Sequence, residues 1–168
     1  MTAIGTVTVR PRRPEDDEFI RALARSAFSR YSQAPGRFVM RMIDEPPTHA
    51  LVAETEGLLR GFAVVSFTAL GRAFGPWTHP VVASLDAIAV HPDAQHRGIG
   101  RALLAAVESV GRKSKAVSVS LRTAAGNTRA QVLFLAAGYQ VMAEIPRYYR
   151  GRQSALAMTK LLGVQEGA

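Results

Sequence analysis

Hydrophobic positions along the chain fall into segments whose period changes from two to between three and four and back. Residues 6–10 (TVTVR) alternate apolar and polar, as a strand with one covered face does. Pro14 followed by Glu15, Asp16 and Asp17 predicts a helix start, a first-turn proline with acids at the positive end of the dipole. Phe19, Ile20, Leu23, Ala24, Ala27 and Phe28 then recur at helical spacing and predict one buried face. Residues 32–36 break that helix, residues 37–43 predict a short second one, and Pro46–Pro47 ends it. Two apolar-rich runs, 49–55 and 61–68, flank Glu56–Gly57 and predict a hairpin.

Residues 71–80 are rich in Gly and Pro, contain the single tryptophan, Trp77, and predict a loop. Residues 81–90 (VVASLDAIAV) form a near-continuous apolar run, the pattern of a central strand buried on both faces, and His91–Pro92 terminates it. A long helix is expected from about residue 98 to 111, with Ile99, Leu103, Val107 and Val110 inward. Residues 116–122 alternate strictly, placing Val117, Val119 and Leu121 on one face and Ser118 and Ser120 on the other. Asn127 can cap a helix running to Ala137, which Gly138 stops, and residues 141–145 and 154–161 read as two final strands. The order β-α-α-β-β-β-α-β-α-β-β calls for an α/β fold, a mixed sheet covered by helices. With no repeat, low-complexity tract or linker, residues 1–168 read as a single domain.

Composition narrows the chemistry. There is no cysteine among the 168 residues, which excludes disulfides, thiol nucleophiles and cysteine-based metal sites, and no metal centre is expected. The N-terminus lacks the basic-then-apolar pattern of a signal peptide, and the longest apolar runs, such as residues 102–107, fall far short of the roughly 20 residues a bilayer requires. A cytoplasmic protein without a membrane partner is the expectation. Twenty-one Lys and Arg against 13 Asp and Glu give a net charge of +8, which favours a polyanionic partner or simply a solubilising surface. Nucleic acid is not expected, because no RNA-binding signature and no basic stripe interleaved with aromatics accompanies the charge.

The most informative stretch runs from Leu85 to Leu104: a buried strand ends at His91–Pro92, a short turn follows, and a helix opens at Gly98-Ile99-Gly100. A helix N-terminus carries unsatisfied N–H groups and about half a positive charge. Glycines let that backbone approach an anion closely, and Arg97 and Arg101 add charge beside it. The stretch is a phosphate cradle by its mechanics. It is neither a P-loop, since Arg101-Ala102 stands where Lys-Ser/Thr is needed, nor a dinucleotide fingerprint, since Leu103 takes the third glycine position.

Gln95-His96-Arg97-Gly98-Ile99-Gly100 fits the Q/R-x-x-G-x-G/A signature of the GNAT superfamily of acyl-CoA-dependent N-acetyltransferases, which the chain resembles over nearly its whole length. Ile88-Ala89-Val90-His91-Pro92 fits the strand before that signature, and Asn127, Ala130, Leu133, Phe134, Gly138 and Tyr139 follow its N-x-x-A-x-x-L-Y-x-x-x-G-F/Y pattern. The resemblance implies the GNAT fold, a twisted mixed sheet of about seven strands with helices on both faces and central strands 81–90 and 116–122 splayed apart. It further implies acetyl-CoA as co-substrate. The backbone of Ile88, Ala89 and Val90 would pair with the pantetheine arm, and the amides of His96, Arg97, Gly98, Ile99, Gly100 and Arg101 would hold the pyrophosphate. Asn127 would touch the pantetheine region, and Phe134 would lie beside the thioester.

The resemblance also marks departures. Phe134 stands where most members carry the tyrosine that protonates the leaving thiolate, and Ser120 stands where one subgroup carries a catalytic Glu. A thiol of pKa near 8.5 leaves tolerably as an anion, so the loss of the acid should slow such an enzyme rather than stop it. Asp86, a lone acid within the apolar central strand, matches an acid of the polyamine-acetylating members. Its open readings are base or water relay, substrate anchor, and structural ion pair with an arginine. Tyr148 and Tyr149 are candidate proton donors, and Tyr139 reads as core. His49 and His79 read as loop or strand-edge residues, and His91 and His96 as shaping the turn.

Ile145-Pro146-Arg147-Tyr148-Tyr149-Arg150, followed by Ser154-Ala155-Leu156-Ala157-Met158, is similar to the ribosomal-protein-alanine and other protein N-terminal acetyltransferases, in which a tyrosine pair lines the peptide groove. The expected reaction is acetyl transfer to a primary amine, a protein or peptide N-terminal α-amine in particular. A small or amino-acid-like amine and a non-catalytic acyl-CoA-binding domain are the alternatives, and both monomer and homodimer are open.

Overall fold

The computed structural model describes residues 5–163. In chain order the elements are β1 (Val7–Pro11), α1 (Asp17–Phe28), α2 (Pro35–Asp44), β2 (Thr48–Thr55), β3 (Leu58–Ala69), β4 (Val81–Val90), α3 (Ile99–Lys113), β5 (Ala116–Ala124), α4 (Thr128–Ala136), β6 (Gln140–Tyr149) and β7 (Gln153–Leu161). They build the expected mixed α/β fold: a seven-stranded sheet in the order β1-β2-β3-β4-β5-β7-β6. β4 and β5 run parallel, whereas β1–β2, β5–β7 and β6–β7 are antiparallel. Among the described residues no helix is long and apolar enough to cross a membrane.

The chain divides into two compact units. The first comprises the chain up to Val64 together with Ala87–Ala106; the second comprises Val65–Asp86 together with the chain from Val107. In the first unit, Ile20, Leu23 and Ala24 of α1 and Val39 of α2 pack on Val52, Phe62, Val64, Ala87 and Ala89 of the strands. Ala27, expected on the buried face of α1, is exposed. Gly61 precedes Phe62 on β3 and so faces the opposite side of the sheet. A Cβ at Gly61 would lie 2.7 Å from the Ala89 carbonyl oxygen and 3.2 Å from Leu103 Cδ1, so the missing side chain lets the start of α3 pack close.

Arg10 ties β1 to the turn before α1. Its Nη1 and Nη2 donate to the Asp16 carboxylate at 2.7 and 3.0 Å, and its Nε donates to Glu54 of β2 at 2.8 Å. Asp16, only 3% exposed, also accepts from the Arg13 amide at 2.7 Å. The Arg10 guanidinium above all, helped by that amide, holds the Asp16 carboxyl below the usual carboxylate range. Asp16→Ala is expected to cost about 2 kcal/mol of stability at neutral pH, because Arg10 loses its buried partner and retains Glu54 and the Pro11 carbonyl. A carboxyl with a depressed folded pKa stabilises fully above its unfolded pKa of about 4, and the contribution disappears as pH falls through the lower folded value. Urea unfolding should therefore show a gap between wild type and variant that narrows steadily below about pH 4.

In the second unit, Leu85, Val107, Val119, Leu121, Phe134, Tyr139, Ala155 and Met158 form the buried apolar set. Two burial expectations change here. Val110 is only half-buried, while Glu108 and Gly111 lie on the covered side of α3. Glu108 is tolerated there because Lys160 of β7 donates to both its oxygens at 3.1 and 3.0 Å. Ser118, expected on a polar face, is 1% exposed, because the register between β4 and β5 takes up an extra β5 residue between Val81↔Ala116 and Ala83↔Val119, which breaks the strict alternation there. The last hairpin also differs: β6 runs on through Pro146 to Tyr149, so the tyrosine pair lies on a strand rather than in a loop.

Candidate active site

At the end of β4 the chain is pinned before it turns. The His91 amide donates to the Arg60 carbonyl at 2.7 Å, and the His91 Nδ1 accepts from the Asp93 amide at 3.2 Å. The Ala94 amide returns to the His91 carbonyl at 2.9 Å, and the Ala94 side chain is buried. His91 thus shapes the turn, as read from the sequence. His96 and Gly98 then adopt left-handed backbone with φ of 63° and 77°, and the first helical bond of α3 is from the Ala102 amide to the Gly98 carbonyl at 3.0 Å.

No protein acceptor among the described residues meets the amides of residues 96–101. The first turn of α3 carries no acid, and Arg97 and Arg101 are exposed without an ion pair among the described residues. A Cβ built on Gly98 would meet nothing within 4 Å. A row of free donors thus stands at the positive end of a helix of 15 residues, beside two guanidinium groups and open space at Gly98. An anion fits this arrangement, and a diphosphate with several acceptor oxygens fits it better than a single carboxylate.

Ile88, Ala89 and Val90 form the last residues of β4, with Ile88 and Val90 half-buried and Ala89 buried. The register between β4 and β5 runs from Val81↔Ala116 to Leu85↔Leu121, and Asp86 stands immediately beyond its last pair. Asp86 is half-buried and accepts a hydrogen bond from Ser84 Oγ at 2.8 Å. No arginine or lysine pairs with it among the described residues, so the structural ion pair weighed from the sequence is absent there. Sequence reasoning missed Ser84 as its partner, although alternation places the two on one face.

Around the start of α4, Asn127 caps the helix, its Oδ1 accepting from the Ala130 amide at 3.2 Å. Phe134 is 3% exposed and meets the Tyr139 ring edge-on, with centroids 6.0 Å apart. Tyr139 is core, as expected. Its hydroxyl is buried with no hydrogen-bond partner among the described residues, and burial, then the nearby charge of Glu108, pushes its pKa up, so it is a poor acid at neutral pH. Ser120, at the position of the subgroup's Glu, shares a hydrogen bond with Thr159 Oγ1 at 2.9 Å.

Tyr148 is exposed on β6, with the Arg122 guanidinium carbon 5.5 Å from its ring centroid and Tyr149 packed edge-on at 4.8 Å. Arg122 was not singled out from the sequence, since one arginine in an alternating strand reads as an ordinary solvated position. His49 and His79 are exposed. Among the described residues no group of three or more His, Cys, Asp or Glu is placed to hold a metal ion.

Three solved structures share this architecture. Naa20 of Chaetomium thermophilum, determined with a bisubstrate analogue, is 26% identical, with a TM-score of 0.73 over 92% of this chain and 86% of that one. Ard1 of Thermoplasma volcanium is 24% identical, with a TM-score of 0.76 over 94% of this chain and 99% of that one. The ribosomal-protein-S18-alanine N-acetyltransferase of Escherichia coli is 20% identical, with a TM-score of 0.73 over 97% and 99%. No curated protein matches the chain. The sequence profile described as the acetyltransferase (GNAT) family matches residues 3–139, and with the unpaired amides of the α3 turn and the order of elements in the sheet it settles the lineage: the chain belongs to the GNAT family of acyltransferases.

Proposed function

We propose that the chain, acting as one catalytic domain in the cytoplasm, transfers an acetyl group from acetyl-CoA to the α-amine of a protein or peptide N-terminus. The observation that carries this reading is the row of unpaired amides at residues 96–101, together with the open space that a Cβ on Gly98 would enter. When bound, acetyl-CoA supplies an acetyl group activated as a thioester. The amides of His96 to Arg101 hold its diphosphate, with Arg97 and Arg101 neutralising charge, and the backbone of Ile88, Ala89 and Val90 takes the pantetheine arm. By the family resemblance, Asn127 would touch the pantetheine region and Phe134 would lie beside the thioester.

Asp86 receives the proton that the amine loses, and Ser84 Oγ orients its carboxylate. The tyrosine pair Tyr148–Tyr149 lines the path of the peptide, its hydroxyls being the proton donors available once Phe134 replaces the usual tyrosine. The preference for an α-amine follows from proton energetics. Neutralising an α-amine of pKa about 8 at pH 7 costs about 1.4 kcal/mol, whereas a lysine of pKa about 10.4 costs about 4.6 kcal/mol. A site with Phe134 in place of the usual tyrosine and Ser120 in place of one subgroup's glutamate suits the easier proton. Similarity to Naa20 at 26% identity supports the same substrate class.

Calorimetry with acetyl-CoA and a thiol-release assay test the reading together. Acetyl-CoA should bind at micromolar concentration, and thiol should be released with N-terminal peptides well above the rate with lysine or small amines. Binding without turnover on any amine would leave a non-catalytic acyl-CoA-binding domain. Release with small amines alone would leave the metabolite alternative.

A further inference from the structure

The net charge of +8 is not spread evenly. Within the described residues, the unit that carries the amide row holds eleven Lys and Arg against nine Asp and Glu, while the unit that carries Asp86 and the tyrosine pair holds ten against three. The surplus is thus two in the first unit and seven in the second. Of the three acids in the second unit, Glu108 is engaged by Lys160 and Arg112, and Asp86 by Ser84.

Four arginines of this unit gather near the tyrosines: Arg122 on β5, and Arg147, Arg150 and Arg152 around the β6–β7 turn. All four are exposed, and none meets a carboxylate among the described residues. The turn that presents them is fixed. Tyr149 pairs with Gln153, and the Gln153 side-chain amide donates to the Arg150 carbonyl at 3.3 Å. Arg147 and Arg152 hold left-handed backbone, with φ of 55° and 64°, on either side of Gly151. Glycine or asparagine would sit there with less strain, yet arginine occupies both positions.

We infer that these arginines recognise an acidic stretch following the reacting residue in the substrate, a row of carboxylates rather than one side chain. Planar guanidinium groups accept carboxylates in pairs of hydrogen bonds, and several cations along one fixed turn match several anions along an extended peptide. A polynucleotide would present the same sign of charge. The Tyr148 ring, however, already has Arg122 over it and Tyr149 edge-on against it, and a stacking base would compete with both contacts. The inference rests on the peptide α-amine reading above and names its substrate class.

The test uses fluorescent peptides with one common first residue, followed by four Asp/Glu, by the matching Asn/Gln, or by Lys, and a labelled RNA hairpin. Binding to the full chain is measured by anisotropy at low and at physiological salt, with kcat/KM measured in parallel. The acidic peptide should bind about tenfold tighter than the neutral one at low salt, and the ratio should shrink as salt rises. Arg122→Gln should reduce that ratio, and Arg147→Gln with Arg150→Gln and Arg152→Gln should bring it near one. If the triple variant fails to fold, the single Arg122→Gln change still decides. Equal binding of acidic and neutral peptides overturns the inference, as does RNA binding that the acidic peptide cannot displace. Acidic preference in binding without acetylation of any peptide would sink the activity reading alone; equal acetylation of all peptides with equal binding would sink only this inference.

Discussion

Gly98→Val is expected to weaken acetyl-CoA binding at least about hundredfold while the protein stays folded. Left-handed backbone at φ 77° costs a β-branched residue about 1–2 kcal/mol, which a folded domain of this size tolerates. A Cβ there meets no protein atom within 4 Å, so the added methyl groups disturb no packing. They occupy instead the open space at the glycine turn, where the proposed diphosphate would sit. Losing two charge-assisted hydrogen bonds to a diphosphate, at about 1.5 kcal/mol or more each, gives about 3 kcal/mol, or about hundredfold. Calorimetric titration with acetyl-CoA beside a thermal unfolding curve separates the two effects. Gly61→Val is the contrasting variant: its Cβ would lie 2.7 Å from the Ala89 carbonyl, so the loss there should fall on folding. Unchanged affinity in Gly98→Val would place the diphosphate elsewhere.

The elements that the sequence displays most clearly are those in which one physical cause dominates. The run at residues 81–90 is apolar except for Ser84 and Asp86 and ends at His91–Pro92, and β4 occupies those residues. Asn127 caps α4 through its own side chain, as its position before a helical pattern suggested. Glu56 and Gly57 both adopt positive φ, the backbone that a two-residue hairpin turn demands. Pro146 hid the far half of β6 because proline cannot donate to a ladder. β6 is the edge strand of the sheet, where one missing donor is tolerated, and its register shifts between Ile145 and Tyr149. Ser118 and Val110 depart from their sequence patterns, because burial in a central strand or under a helix is set by neighbours far along the chain. Lys160, which stabilises Glu108, is 52 residues away.

The candidate site divides in the same way. The glycine turn and the residues around it lie within a few positions of one another, and local pattern suffices to find them. The Asp86–Ser84 hydrogen bond needs only the two-residue period of a strand. Arg122 over Tyr148 joins positions on different strands, and nothing local distinguishes that arginine from the other cations of a basic chain. The uneven charge between the two units likewise appears only once the chain is partitioned in space.

Asp86→Asn is expected to lower kcat/KM about hundredfold or more, and to change how the rate depends on pH. Asparagine keeps an oxygen that accepts from Ser84 Oγ, so the local hydrogen bond survives and the loss reports the charge. With a carboxylate present, an ammonium can bind and surrender its proton within the complex. With asparagine, the amine must arrive neutral. For an α-amine of pKa about 8, the neutral fraction is about a tenth at pH 7 and about a hundredth at pH 6. The variant's rate should therefore climb about tenfold per pH unit up to about pH 8, while the wild-type rate is flatter over the same range. At pH 9 the gap should shrink to the loss of general-base assistance during attack. A purely structural Asp86 would give a variant with lower stability and an unaltered pH profile; an Asp86 that only anchors the substrate would raise KM and leave kcat and its pH dependence unchanged.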